Sequence, residues 1–164
     1  MAELRSALEA AGFGEVRTYI QSGNVIVSGD SDHDETGGLR QFEASIESLI
    51  STTFGISTSV IARRRSELEA SVAASPFALP GRDEARILFM FLGREPAPER
   101  VDALDPSRSP QDSFVVLGRE VHLWCPNGSG TSKLTADSFA RTLEVAVTAR
   151  NLRTVRKIIE LMDR

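Results

Sequence analysis

The sequence predicts an α+β protein built from two plait-like halves, and three observations carry that expectation. The six-residue apolar run Ile87–Leu92 is hydrophobic on both faces, as suits a strand inside a helix-covered sheet. From that run onward the signals read strand, helix, strand, strand, helix, strand. The residues before it read helix, strand, strand, helix, strand, which is the same order without its first member.

In chain order, Leu4, Ala7, Leu8 and Ala11 lie at helical spacing and Gly12 stops the helix. Val16, Thr18 and Ile20 alternate with Arg17 and Tyr19 as a half-buried strand, Ser22-Gly23-Asn24 turns the chain, and Val25–Val27 returns it. The acidic run 29–38 reads as a solvated loop containing His33. Leu39, Phe42, Ile46 and Leu49 mark a second helix, and Ser57–Ile61 a short strand. A linking helix over Ser66–Ala74 stops before Pro76. In the second half, strand Ile87–Leu92 precedes a short helix over Pro98–Leu104. Phe114–Leu117 and Val121–Cys125 flank a Gly118-Arg119 hairpin turn. A helix over Leu134–Leu143, a brief strand at Val145–Val147 and an amphipathic helix carrying Leu152, Val155, Ile159 and Met162 complete the chain.

This order is the split βαβ, ferredoxin-like arrangement, with a linking helix between the halves and an additional helix at the C-terminus. The expected division is 1–64, 65–84 and 85–164. In the first half the absent strand is a central one, so residues preceding Met1 are expected in a longer natural chain.

Composition narrows the function classes. Hydrophobic content of 41% and charged content of 26% are those of a globular chain, and no apolar run approaches the roughly 20 residues of a membrane span. A cytoplasmic protein without membrane partners is expected. The single cysteine, Cys125, excludes an internal disulfide and reads as a buried, inert thiol. A net charge of −4 disfavours a broad nucleic-acid groove. Seven bases and four acids from Lys133 onward nevertheless leave that last fifth at +3, which allows a local anion site. His33 and His122 are the only histidines, and no metal motif or paired-carboxylate spacing is present, so neither metal nor cofactor is expected. His122 alternates with Val121 and Leu123 and reads as a sheet residue.

Three polar segments are candidates for a ligand site. In Tyr19-Ile20-Gln21-Ser22-Gly23-Asn24, the side chains of Tyr19, Gln21 and Asn24 could form a binding edge, or the segment could be a hairpin turn that satisfies its own polar groups. In Asn127-Gly128-Ser129-Gly130-Thr131-Ser132-Lys133, glycines and a following helix could hold a phosphate or carboxylate with Ser132 and Lys133. Alternatively, Thr131 or Ser132 is simply a helix cap. In Thr148-Ala149-Arg150-Asn151, Asn151 is a natural cap for Thr154, while Arg150 offers a planar fork to an anion or a neighbouring acid.

These same segments carry a family resemblance. Val16-Arg-Thr-Tyr-Ile-Gln-Ser-Gly-Asn-Val25, Gly128 through Lys133-Leu134, and Thr148-Ala-Arg-Asn-Leu-Arg-Thr-Val155 resemble the ordered blocks of the bacterial family known as domain of unknown function 1697 (DUF1697). The resemblance spans essentially the whole chain and implies an α/β protein with plait-like halves and no established activity, cofactor or substrate. It also implies a strand and an Arg-Gly-Ile-Asn-x-Gly-Gly segment ahead of the position of Met1, and tryptophan where this chain has Leu152.

The leading expectation is a binding protein for a small anionic ligand near Lys133 and Arg150. The alternatives are an enzyme on a phosphorylated or carboxylated metabolite, with Tyr19 or Ser132 as proton donor, and a nucleic-acid module using Trp124 and Tyr19.

Overall fold

A computed structural model describes residues 1–20, 23–28 and 37–163 of the chain. It is a mixed α+β protein that divides into two compact units: residues 1–63 together with 160–164, and residues 64–159.

In the first unit, helix α1 (Ala2–Ala10) leads into strands β1 (Gly14–Tyr19) and β2 (Asn24–Ser28), and helix α2 spans Gly37–Phe54. β1 and β2 pair antiparallel, with Tyr19 opposite Asn24 and an irregularity between Gly14 and Arg17 where Glu15 takes a positive φ of 41°. Leu8, Val16 and Ile46 form the buried centre, and Phe13 meets Phe42 edge-on at 5.7 Å between ring centroids. The alternation predicted through Ile20 ends one residue early. Ile20 leaves the strand at a φ of 52° and is exposed, because the chain is already turning there. Gln21, Ser22 and the stretch 29–36, including His33, lie outside the described residues.

The strand expected at Ser57–Ile61 does not form. Instead of pairing with a neighbour, the N–H of Val60 donates to Glu47 Oε1 at 2.7 Å and that of Ala62 to Glu43 Oε1 at 2.8 Å. Alternate amides point the same way along extended chain, and residues four apart share a helix face, so two carboxylates of α2 take the place of a ladder.

The second unit begins with α3 (Arg65–Ala74) and continues through β3 (Ile87–Leu92), α4 (Pro98–Asp102), β4 (Ser113–Leu117), β5 (Glu120–Trp124), α5 (Ala136–Leu143) and β6 (Val147–Asn151); α6 (Leu152–Met162) starts in it and ends in the first unit. The sheet order is β4-β5-β3-β6, with every neighbouring pair antiparallel. β3 is therefore an interior strand, which explains its two apolar faces. Met90, Leu92, Val121, Leu123 and Cys125 share one face with Leu134, Phe139 and Leu143, so α5 covers that side. Gly118, at a φ of 53°, opens the tight β4–β5 turn.

Several predicted boundaries move. α4 stops at Asp102, and α5 begins at Ala136 rather than Leu134 because Thr135 is its cap: Thr135 Oγ1 accepts from the N–H of Ser138 at 3.2 Å, and Ser138 Oγ accepts in return from the N–H of Thr135. The brief strand placed at Val145–Val147 instead runs Val147–Asn151, because its register against β3 sets its length.

Candidate functional site

In the first polar segment, Tyr19 and Asn24 bond to each other. Asn24 is 8% exposed, and its Nδ2 donates to the carbonyl of Tyr19 at 3.2 Å, clamping the hairpin whose return requires Gly23 at a φ of 78°. Tyr19 and Asn24 belong to the first unit, whereas Ser132, Lys133, Arg150 and Asn151 belong to the second.

The second segment is also held internally. Residues 129–131 form a single 3-10 turn, Thr131 Oγ1 donates to the carbonyl of Gly128, and the N–H of Leu134 donates to Ser132 Oγ at 3.0 Å. Neither Thr131 nor Ser132 caps the following helix; Thr135 does, and in doing so it consumes amides that an anion would have met. Lys133 is exposed, and its carbonyl accepts from Arg108 Nε at 3.2 Å. Nearby Cys125 is buried. Its thiol is pushed up to about 11, first by burial and then by the negative charge of Asp112, so it is protonated and unreactive at neutral pH.

The third segment lies on β6, the edge strand opposite β4. Asn151 caps α6 as its sequence suggests, with the N–H of Thr154 donating to Oδ1 at 2.9 Å. Arg150 stands opposite Phe89 across the β3–β6 ladder, and its Nη1 donates to Thr148 Oγ1 at 2.8 Å and to the carbonyl of Ala149 at 2.7 Å. Burial lowers its pKa, meaning that the surrounding protein disfavours the guanidinium charge.

Phe89 is also directly opposite His122, so Arg150, Phe89 and His122 form one row on a single sheet face. His122 is 0% exposed and packs against the Phe89 ring at 4.7 Å between centroids. Its Nε2 lies 3.0 Å from Glu120 Oε2 and 3.3 Å from Ser71 Oγ, and the Ser71 hydroxyl donates to the same Glu120 carboxylate. α3 is thus fastened over this face. The arrangement differs from a nucleophilic relay, in which hydroxyl and acid occupy opposite ring nitrogens. Here both crowd Nε2, the serine proton goes to the carboxylate, and Nδ1 is buried with no partner among the described residues. Further along the face, Arg82 packs over Trp124, its Cζ 4.7 Å from the ring centroid.

Glu120, Ser71 and Arg82 escaped the sequence reading. Glu120 and His122 carried a legible signal, being two residues apart on a strand and so on one face. Ser71 sat on the buried stripe of α3 beside Leu68 without any local mark of its strand partner. Among the described residues no group of three or more His, Cys, Asp or Glu is arranged to hold a metal, and no helix is long and apolar enough to cross a membrane.

Fold and site together define a mixed α+β protein with a polar cluster of Ser71, Glu120 and His122 on the sheet of its second unit. The chain belongs to the family described as Protein of unknown function (DUF1697), whose model matches residues 1–122. Among solved structures it is similar to a conserved bacterial protein, SP0830 from Streptococcus pneumoniae, at 22% identity and a TM-score of 0.68. That match covers 100% of this chain and 89% of the other. The likeness is one of fold. No curated protein matches the chain.

Proposed function

We propose that the protein binds a small anion, with Arg150 as its anchor, as a cytoplasmic binding protein rather than an enzyme. The observation carrying this reading is the half-buried Arg150 guanidinium on β6, whose charge is disfavoured by desolvation. A phosphate or carboxylate arriving beside it would offset that desolvation. Lys133 is left out of the anchor because its neighbour Leu134 packs in the core on the α5 side of the sheet, whereas Arg150 lies on the face of Phe89 and His122. A nucleic-acid reading loses ground, since Phe89 and Phe91 are buried and Trp124 is covered by Arg82. The plait reading of the second unit is supported by its strand order and all-antiparallel pairing. For the first unit, the helix-strand-strand-helix order supports it.

The test is an NMR titration of the purified protein with inorganic phosphate and with acetate. Saturable shifts at Arg150 and Asn151, lost in Arg150→Gln, are expected. Unchanged shifts with both anions would sink the reading.

A further inference from the structure

We propose that the second unit has a phosphate-selective site at Arg82, completed by Arg86, Arg153 and Arg156; this deepens the anion-binding reading and rests on it. The Arg82 guanidinium packs against two rings, its Cζ 4.7 Å from the Trp124 centroid and 6.0 Å from that of Phe77. This stacking fixes the group in place without satisfying its N–H donors, because ring faces attract a cation but accept hydrogen bonds only weakly. Nη1 of Arg82 is buried and has no hydrogen-bond partner among the described residues. A buried, unpaired donor on a charged group is costly, and an anionic oxygen is its natural complement.

The neighbouring charges point the same way. Asp83 is shared between Arg86 at 3.4 Å and Arg153 at 3.8 Å, and Glu84 pairs with Arg156 at 3.1 Å. Three guanidinium groups therefore meet two carboxylates, and Arg82, the chain neighbour of Asp83, brings the local excess to two positive charges in a chain whose net charge is −4. A monocarboxylate would leave that excess half answered, whereas a phosphate or phosphate monoester near neutral pH supplies close to two charges. The register places Trp124 opposite Ile87, two residues from Phe89 and thus on the face that carries Arg150. A ligand on Arg82 consequently approaches the same side of the sheet as the proposed anchor.

Trp124 is the only tryptophan, so its emission reports on Arg82 directly. Inorganic phosphate, glycerol phosphate and acetate are titrated at constant ionic strength, following Trp124 fluorescence together with the NMR signals of Arg150 and Asn151. Saturable Trp124 changes with either phosphate, and none with acetate, are expected. Tighter binding of glycerol phosphate assigns the site to a monoester, and tighter binding of inorganic phosphate assigns it to the free ion. Arg82→Gln should weaken binding by about 10-fold or more, as for loss of a charge-assisted hydrogen bond. The double variant Arg153→Gln/Arg156→Gln, which alters only exposed side chains, should weaken it several-fold and flatten its salt dependence, keeping the test valid if Arg82→Gln fails to fold. Saturable Trp124 changes with acetate as well as with phosphate, or phosphate affinity at Trp124 unchanged in both variants, would overturn the site. If phosphate still shifts Arg150 in those variants and is lost only in Arg150→Gln, this site falls and the broader reading stands. If neither Trp124 nor Arg150 responds to any of the three anions, the broader reading falls with it.

Discussion

The two units solve the same backbone problem differently. In the second, β3 has a ladder on each side, and extended chain becomes strand because every amide meets a carbonyl on a neighbour. In the first, the extended segment after α2 meets no strand among the described residues, and Glu47 and Glu43 accept the amides of Val60 and Ala62 instead. Extended chain with the right residues is therefore not sufficient for a strand; a partner at about 4.8 Å is the missing condition. Where it is lacking, a carboxylate is a competent substitute, since it accepts strongly and lies on a helix already packed nearby.

The largest expected effect tests the better-laddered unit. Phe139 is buried and meets Phe114 edge-on at 5.5 Å, so Phe139→Ala should cost about 3–5 kcal/mol in denaturant unfolding. A loss below about 1 kcal/mol would show that α5 does not anchor that sheet. The next effect probes the carboxylate substitute. Glu43 is 6% exposed, and Glu43→Ala leaves the Ala62 amide without its acceptor at a cost of about 1–3 kcal/mol. Hydrogen exchange should accelerate at Ala62 and stay slow at the ladder amides of β3; equal acceleration at both would erase the contrast between the units. The smallest effect concerns pH. Because the folded thiol of Cys125 titrates near 11, above its ordinary value near 9, its stabilising contribution is complete below about pH 9 and is lost as the pH rises towards 11. Cys125→Ala should therefore make the alkaline decline in melting temperature shallower, and a thiol-alkylating reagent at neutral pH should modify only unfolded protein. Rapid alkylation of folded protein would contradict the burial of this face.

Much of the architecture was legible before the structure. The apolar run of β3 announced an interior strand, the Gly118-Arg119 pair a tight turn, and Asn151 the cap of α6. These signals are local, each set by a residue's own geometry or by a neighbour within one turn. The candidate site was only partly legible. Ser132 read as a ligand donor or a helix cap; its hydroxyl oxygen accepts from Leu134, and the helix cap is Thr135 three residues on. Tyr19 and Asn24 read as either a binding edge or a hairpin turn, and the bond from Asn24 Nδ2 to the Tyr19 carbonyl joins them across the hairpin.

By itself, the sequence determined the mixed α+β class, the elements of the second unit and the family, because periodicity, turn residues and ordered blocks are written along the chain. The tertiary structure alone decided which polar groups meet. It set Arg150 and His122 on either side of Phe89, laid Ser71 against Glu120, stacked Arg82 on Trp124, and denied residues 57–61 a strand partner. Those outcomes depend on register and on contacts between residues far apart in sequence, and no local pattern encodes the spacing at which two distant side chains come together.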